Sequence, residues 1–172
     1  MKTQTSILTI VLLVISTIAF SMNHKKIDPG LKLGSTTFNN EMYVSIGGDI
    51  YKTDTADNNA TLVKLNINTK YEESNPVLSN DGSTLYFVSD RKDGCGGKDI
   101  WASERLSNGN WCQPYNLGKQ INTGNDESYP VINEDGVTLS FTTNGRNNNN
   151  SNETYSATMN DEGLWSLPKK VE

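Results

Sequence analysis

Apolar and polar positions alternate in short runs over most of this chain, and the runs are separated by turn residues. Thr84 to Ser89, read Thr-Leu-Tyr-Phe-Val-Ser, is one such run, and Asn80-Asp81-Gly82 before it is turn chemistry in which glycine accepts a positive φ. The pattern predicts four strands between Asn75 and Leu117: Asn75 to Ser79, Thr84 to Ser89, Asp99 to Arg105 and Trp111 to Leu117. The glycine-rich loop Asp93 to Gly97 and the Asn108-Gly109 turn make the later connections. Upstream, Met42 to Ile46, Asp49 to Thr53 and Thr61 to Leu65 read as shorter strands around Gly47-Gly48. No stretch after the N-terminal apolar run carries a helical period, so the class is all-β.

The same pattern returns 54 residues later. Glu73, Ser74, Pro76, Val77, Asp81, Gly82, Leu85, Phe87, Gly109, Trp111 and Pro114 fall on Glu127, Ser128, Pro130, Val131, Asp135, Gly136, Leu139, Phe141, Gly163, Trp165 and Pro168. Gly48-Asp49-Ile50-Tyr51 echoes Lys98-Asp99-Ile100-Trp101, and Ile67-Asn68-Thr69 lies 54 residues before Ile121-Asn122-Thr123. Internal repetition of this length means stacked supersecondary units. Three are expected, over 35–72, 73–126 and 127–172, the first in shortened form.

The run VLSNDGSTLYFVSDR, followed by GGKDIW, NWCQPYNLG and INT, resembles the WD-repeat-like β-propeller repeat of the TolB type, found in exported and envelope proteins of bacteria. The resemblance implies a partial β-propeller built from four-stranded antiparallel meander blades, each with its first strand beside a central channel. It also implies that Glu73 and Glu127 stand where channel-facing strands begin. In the last unit the glycine-rich loop gives way to Gly145 to Asn152, and Asp99-Ile100-Trp101 becomes Glu153-Thr154-Tyr155. Closed propellers have about 4 to 8 blades, and this chain holds fewer than three full periods. A fragment, an open stack, or a homodimer completing a ring would each resolve the shortage.

Residues 1–21 read as a secretory signal: Lys2 is its sole charge, Ile7 to Phe20 is apolar, and Ala19-Phe20-Ser21 suits cleavage. The competing reading is an uncleaved anchor, although spanning a bilayer takes about 20 apolar residues. Residues 22–34 read as a leader into the repeat domain, 35–172. The expected location is the periplasm or the exterior. A net charge of −5 gives no reason to expect nucleic acid as a partner. Export permits a disulfide between Cys95 and Cys112, with two free thiols the open alternative. Their spacing fits no zinc site, and neither a metal nor a cofactor is expected.

His24 is the sole histidine and lies in the leader, so no histidine-dependent triad fits within the repeats. The expectation is therefore a binding module that is not an enzyme, directed at a protein or an envelope polymer. The alternative is a carbohydrate-recognising or enzyme-associated propeller. Glu73 and Glu127, as a negative rim, and Trp101 and Tyr155, as an aromatic platform, are the binding candidates. Each has a plainer reading: the carboxylates could bond neighbouring backbone, and the aromatics could fill space between blades. Asp81-Gly82 and Asp135-Gly136 fail the spacing of a sialidase-type aspartate box and read as hairpin turns.

Overall fold

The computed structural model describes residues 35–54, 62–146 and 151–172. The expected signal and leader, and Asn147 to Asn150 of the asparagine-rich run, lie outside the described residues. Twelve strands are present among the described residues: β1 (Ser35–Phe38), β2 (Glu41–Ile46), β3 (Asp49–Asp54), β4 (Val63–Lys64), β5 (Glu73–Leu78), β6 (Thr84–Ser89), β7 (Asp99–Glu104), β8 (Tyr115–Asn116), β9 (Glu127–Ile132), β10 (Thr138–Thr143), β11 (Glu153–Thr158) and β12 (Lys169–Lys170). They form three four-stranded sheets in the orders β1-β2-β3-β4, β5-β6-β7-β8 and β9-β10-β11-β12, with every neighbour antiparallel. The expected meander blades are therefore present, and β5 lies beside both β1 and β9.

Two expectations change in detail. The first unit is abbreviated in sequence but complete in strands, because Ser35 to Phe38 pairs along β2. The fourth strand of each blade shrinks to two residues, so Trp111 and Trp165 join their blades through isolated bridges to Arg105 and Met159. Short outer strands leave little unpaired edge for another chain to extend.

The inner strands β5 and β9 each carry a bulge at the same place. Their registers slip between Ser74 and Val77 and opposite Ser140 to Thr142. Asn75 and Tyr129 take φ of 49° and 51° there. Pro76 and Pro130 follow, and a proline that cannot donate to a ladder belongs at such a bulge on an edge strand.

Strand alternation sends one face of each blade into each seam. Tyr43, Ile50, Leu65 and Ile67 of the first blade meet Leu78, Leu85, Phe87, Trp101 and Trp111 of the second. Ile100 and Ile121 of the second meet Leu139, Phe141 and Ala157 of the third, with Leu117, Ile132, Tyr155 and Trp165 packed around them. Equivalent residues perform equivalent contacts. Trp111 stands edge-on to Tyr43 with ring centres 5.9 Å apart, and Trp165 stands edge-on to Tyr86 at 6.4 Å. Such aromatic pairs contribute roughly 0.5–1.5 kcal/mol beyond the area they bury.

Candidate functional site

The expected channel-mouth carboxylates are inside the protein. Glu73 and Glu127 are both fully buried, which corrects their reading as a negative rim open to solvent. The cause is a device written into the repeat. In Ile67-Asn68-Thr69 the isoleucine enters the core, while Asn68 accepts from Ile50 N at 2.7 Å and donates to Ile50 O at 2.7 Å. One side chain thus continues the pairing of β3 past the short β4, sharing Ile50 O with Leu65 N at 3.1 Å. Thr69 then donates its backbone N–H and its hydroxyl to Glu73, at 2.9 and 2.7 Å. Ile121-Asn122-Thr123 repeats the arrangement: Asn122 takes Ile100 N and O at 2.8 and 2.9 Å, and Thr123 holds Glu127 at 2.8 and 2.7 Å. A buried carboxylate requires such partners, so the plainer reading of both glutamates holds.

The two carboxylates differ in their cation. Arg91 reaches Glu73 at 2.8 Å, also donates to Ile67 O and Ser89 Oγ, and lies over Trp101 with 4.8 Å to the ring centre. At the matching position the third blade has Gly145. Its neighbour Arg146 covers Phe141 and Tyr155 but donates to Gln120 O and Ile121 O. Glu127 keeps three hydroxyl and amide donors, the last from Thr143 at 2.6 Å, without the ionic one. Burial, opposed by these hydrogen bonds, pushes the Glu127 carboxyl above its usual range.

The aromatic candidates are likewise part of the packing. Trp101 is buried between Arg91 and the first seam, and Tyr155 is half-buried under Arg146. The aspartates of the turns cap backbone as expected: Asp81 accepts from Ser83 N at 3.0 Å, and Asp135 from Val137 N and Thr138 N. Hydrogen bonds from Ser79 and Ser83 lower the Asp81 carboxyl to about 2.

Cys95 and Cys112 are free thiols. Cys95 N donates to Asp99 at the start of β7, while Cys112 N donates to Glu104 O at its end. A six-residue strand is roughly 20 Å long, and bridged cysteines need Cα atoms within about 7 Å. The two thiols belong to opposite ends of one strand, which corrects the disulfide expectation. The glycine loop beside Cys95 is a packing element. A Cβ on Gly96 would come within 2.4 Å of Gly124 backbone, and one on Gly94 within 1.9 Å of the Asp99 carboxylate.

Outside these seams the strand-start end of the first two blades has an open hollow of about 410 Å³, lined by Gly47, Gly48, Asp49, Thr69, Lys70, Tyr71 and Glu72. Its edges are charged and mixed: Lys64 pairs with Asp49 at 2.7 Å, Lys98 with Glu72 at 3.0 Å, and Lys70 lies over the Tyr71 ring. The sequence signal for this hollow was Gly47-Gly48 facing the lead into β5, which alternation alone could not relate to one another. Among the described residues no group of three or more histidine, cysteine or carboxylate side chains is placed to hold a metal.

No protein-family model and no curated protein matches this chain. Among solved structures it is similar to a puromycin-hydrolyzing peptidase of Mycobacterium tuberculosis, at 16% identity and a TM-score of 0.51. The match covers 80% of this chain and 23% of that one, so the chain spans less than a quarter of the peptidase. At that identity the likeness is one of fold. It nonetheless overturns the expectation of a chain that is not an enzyme: this blade architecture occurs within an enzyme's chain, and the lack of a histidine in the repeats no longer argues against an enzymatic setting.

Proposed function

We propose that these three blades form a binding module of the cell envelope or exterior, and that the hollow between the first and second blades receives a loop of a protein or a strand of envelope polymer. The observation behind this reading is a division of labour. Glu73, Glu127, Trp101 and Tyr155 are all used in holding blades together, whereas Lys70, Tyr71 and Glu72 surround open space. A concave, polar hollow with an aromatic ring and both signs of charge suits an extended polar ligand more than a small apolar one. Calorimetric titration with soluble envelope polysaccharides and with peptides tests this. Saturable heat that disappears in Lys70→Glu and Tyr71→Ala supports the hollow as the site, and absence of saturable binding across both panels refutes the proposal.

The peptidase likeness favours a second reading, in which the blades serve a hydrolytic unit by receiving its peptide substrate. Titrating the chain with puromycin and with short peptides tests this reading: saturable binding of either supports it, and saturable binding of envelope polysaccharide alone refutes it.

A further inference from the structure

The third blade presents an outer face unlike those of its neighbours. The side chains of β10 and β11 turned away from the second blade are Thr138, Ser140, Thr142, Thr154, Ser156 and Thr158. Register sets them in three facing pairs: Thr138 with Thr158, Ser140 with Ser156, and Thr142 with Thr154. At the same positions of the second blade stand Thr84, Tyr86, Val88, Ile100, Ala102 and Glu104. The middle four of those are buried, and the third blade lies against that side. Two valines flank the hydroxyl rows. Val131, opposite Ser140, is 51% exposed, and Val171, whose N–H bonds Thr154 O, is 45% exposed. Leu117, the counterpart of Val171, packs into the second seam.

This face continues the existing interfaces, since each earlier blade covers the corresponding surface with the next blade. A hydroxyl has one donor and two acceptor sites. Thr138 and Ser140 already donate to Asp135 and Asn133 and remain acceptors, so Ser156 of one copy can donate to Ser140 of the other, a reciprocal match that a two-fold contact between identical surfaces demands. Head-to-tail stacking meets a filled position: on β2 the residues turned away from the second blade include Met42 and Val44, and both are already buried.

We propose that the outer face of the third blade is a self-association surface, on which a second copy of this chain packs its own third blade about a two-fold axis running along the strands between β10 and β11. This axis lays β12 of one copy over β9 of the other. Lys169, opposite Ser156 on this face, then runs its methylenes over Val131 of the second copy instead of meeting its own mate. The central contact sets Ser140 against Ser156 and Thr142 against Thr154.

Light scattering after gel filtration at micromolar concentrations tests the proposal on the wild-type chain, where twice the monomer mass is expected. Replacing Ser140→Lys and Ser156→Lys together places like charges across the axis and is expected to give monomer with an unchanged circular dichroism spectrum. Mixing that variant with Ser140→Glu/Ser156→Glu is expected to restore the dimer. A monomeric wild type, a dimer that survives the paired lysines, or a mixture that stays monomeric would each overturn the proposal.

Discussion

Arg91 and Glu73 meet at 2.8 Å in the first seam with the carboxylate wholly out of water, while the equivalent Glu127 in the second seam is held by threonines alone. Removing one member of a buried pair leaves the other charge uncompensated, at a cost of about 3–5 kcal/mol. Glu73→Gln is predicted to lose stability of that order in urea denaturation. Glu127→Gln keeps an acceptor for Thr123 N and offers donors to two hydroxyls that can rotate, so a loss below about 1 kcal/mol is expected. Equal losses in the two variants would show that the ion pair does not distinguish the seams.

The same contrast sets a pH dependence. Burial raises the folded-state pKa of Glu127, so its contribution to stability is fully present below the unfolded value and is lost as pH rises through the folded one. Asp81 has the opposite sign: with its carboxyl lowered from 3.8 to about 2, its contribution is present above 3.8 and is lost as pH falls toward 2. Denaturation midpoints followed across the acid range are predicted to show the Glu127 component disappear in Glu127→Gln and the low-pH component in Asp81→Asn.

Asn122 occupies both the N–H and the carbonyl of Ile100. Asn122→Ala strips the buried Ile100 N–H of its partner, while Ile100 O keeps Leu117 N at 3.2 Å, and one such unpaired group costs about 1–3 kcal/mol. Hydrogen exchange is the direct measurement, with the Ile100 amide predicted to lose protection well before the amides of β6. An unchanged Ile100 exchange rate would exclude the strand-continuing role.

Two glycines separate crowding from backbone strain. Gly96→Ala drives a methyl into Gly124 backbone, and overpacking of that kind costs about 1–3 kcal/mol. Gly109→Ala meets nothing within 4 Å but must hold a φ of 81°, a left-handed conformation costing about 1–2 kcal/mol. Thermal melts of the two variants are predicted to show destabilisation in both. Relief is expected for Gly109→Asn alone, since asparagine tolerates that backbone region.

The thiols give a chemical test. Burial, with Asp99 nearby, raises the Cys95 thiol above its usual value, so slow alkylation at neutral pH is predicted. Peptide mapping after mild oxidation is expected to find no crosslink between Cys95 and Cys112 within one chain.

Blade number, strand order and the hairpin turns were legible because period-two alternation and Asp-Gly turns repeat every 54 residues. The first strand escaped notice because Ser-Thr-Thr-Phe carries too little apolar signal, yet it needs only β2 beside it to pair. The role of Glu73 was misplaced for a related reason. Position in a strand shows where a carboxylate begins, whereas its burial depends on Thr69 and Arg91, which lie on separate segments that only folding brings together. Ile-Asn-Thr was visible as a repeat, but nothing in its spacing reveals that Asn68 and Asn122 continue the pairing of a strand. The hollow beside Tyr71 is a property of two loops meeting and leaves no periodic trace.

Because each Ile-Asn-Thr-to-Glu link ties one blade only to its neighbour, the molecule resembles a short zipper whose teeth are of unequal strength. The first closure has nine buried apolar side chains with the Arg91–Glu73 pair set against it, and the second has eight, Tyr86, Val88 and Ala102 among them, with no ion pair at Glu127 among the described residues. In nearest-neighbour stacks the weaker interface opens first. Heat, denaturant or mechanical pull should therefore detach the C-terminal sheet while the other two remain joined, giving the chain a fixed order of coming apart.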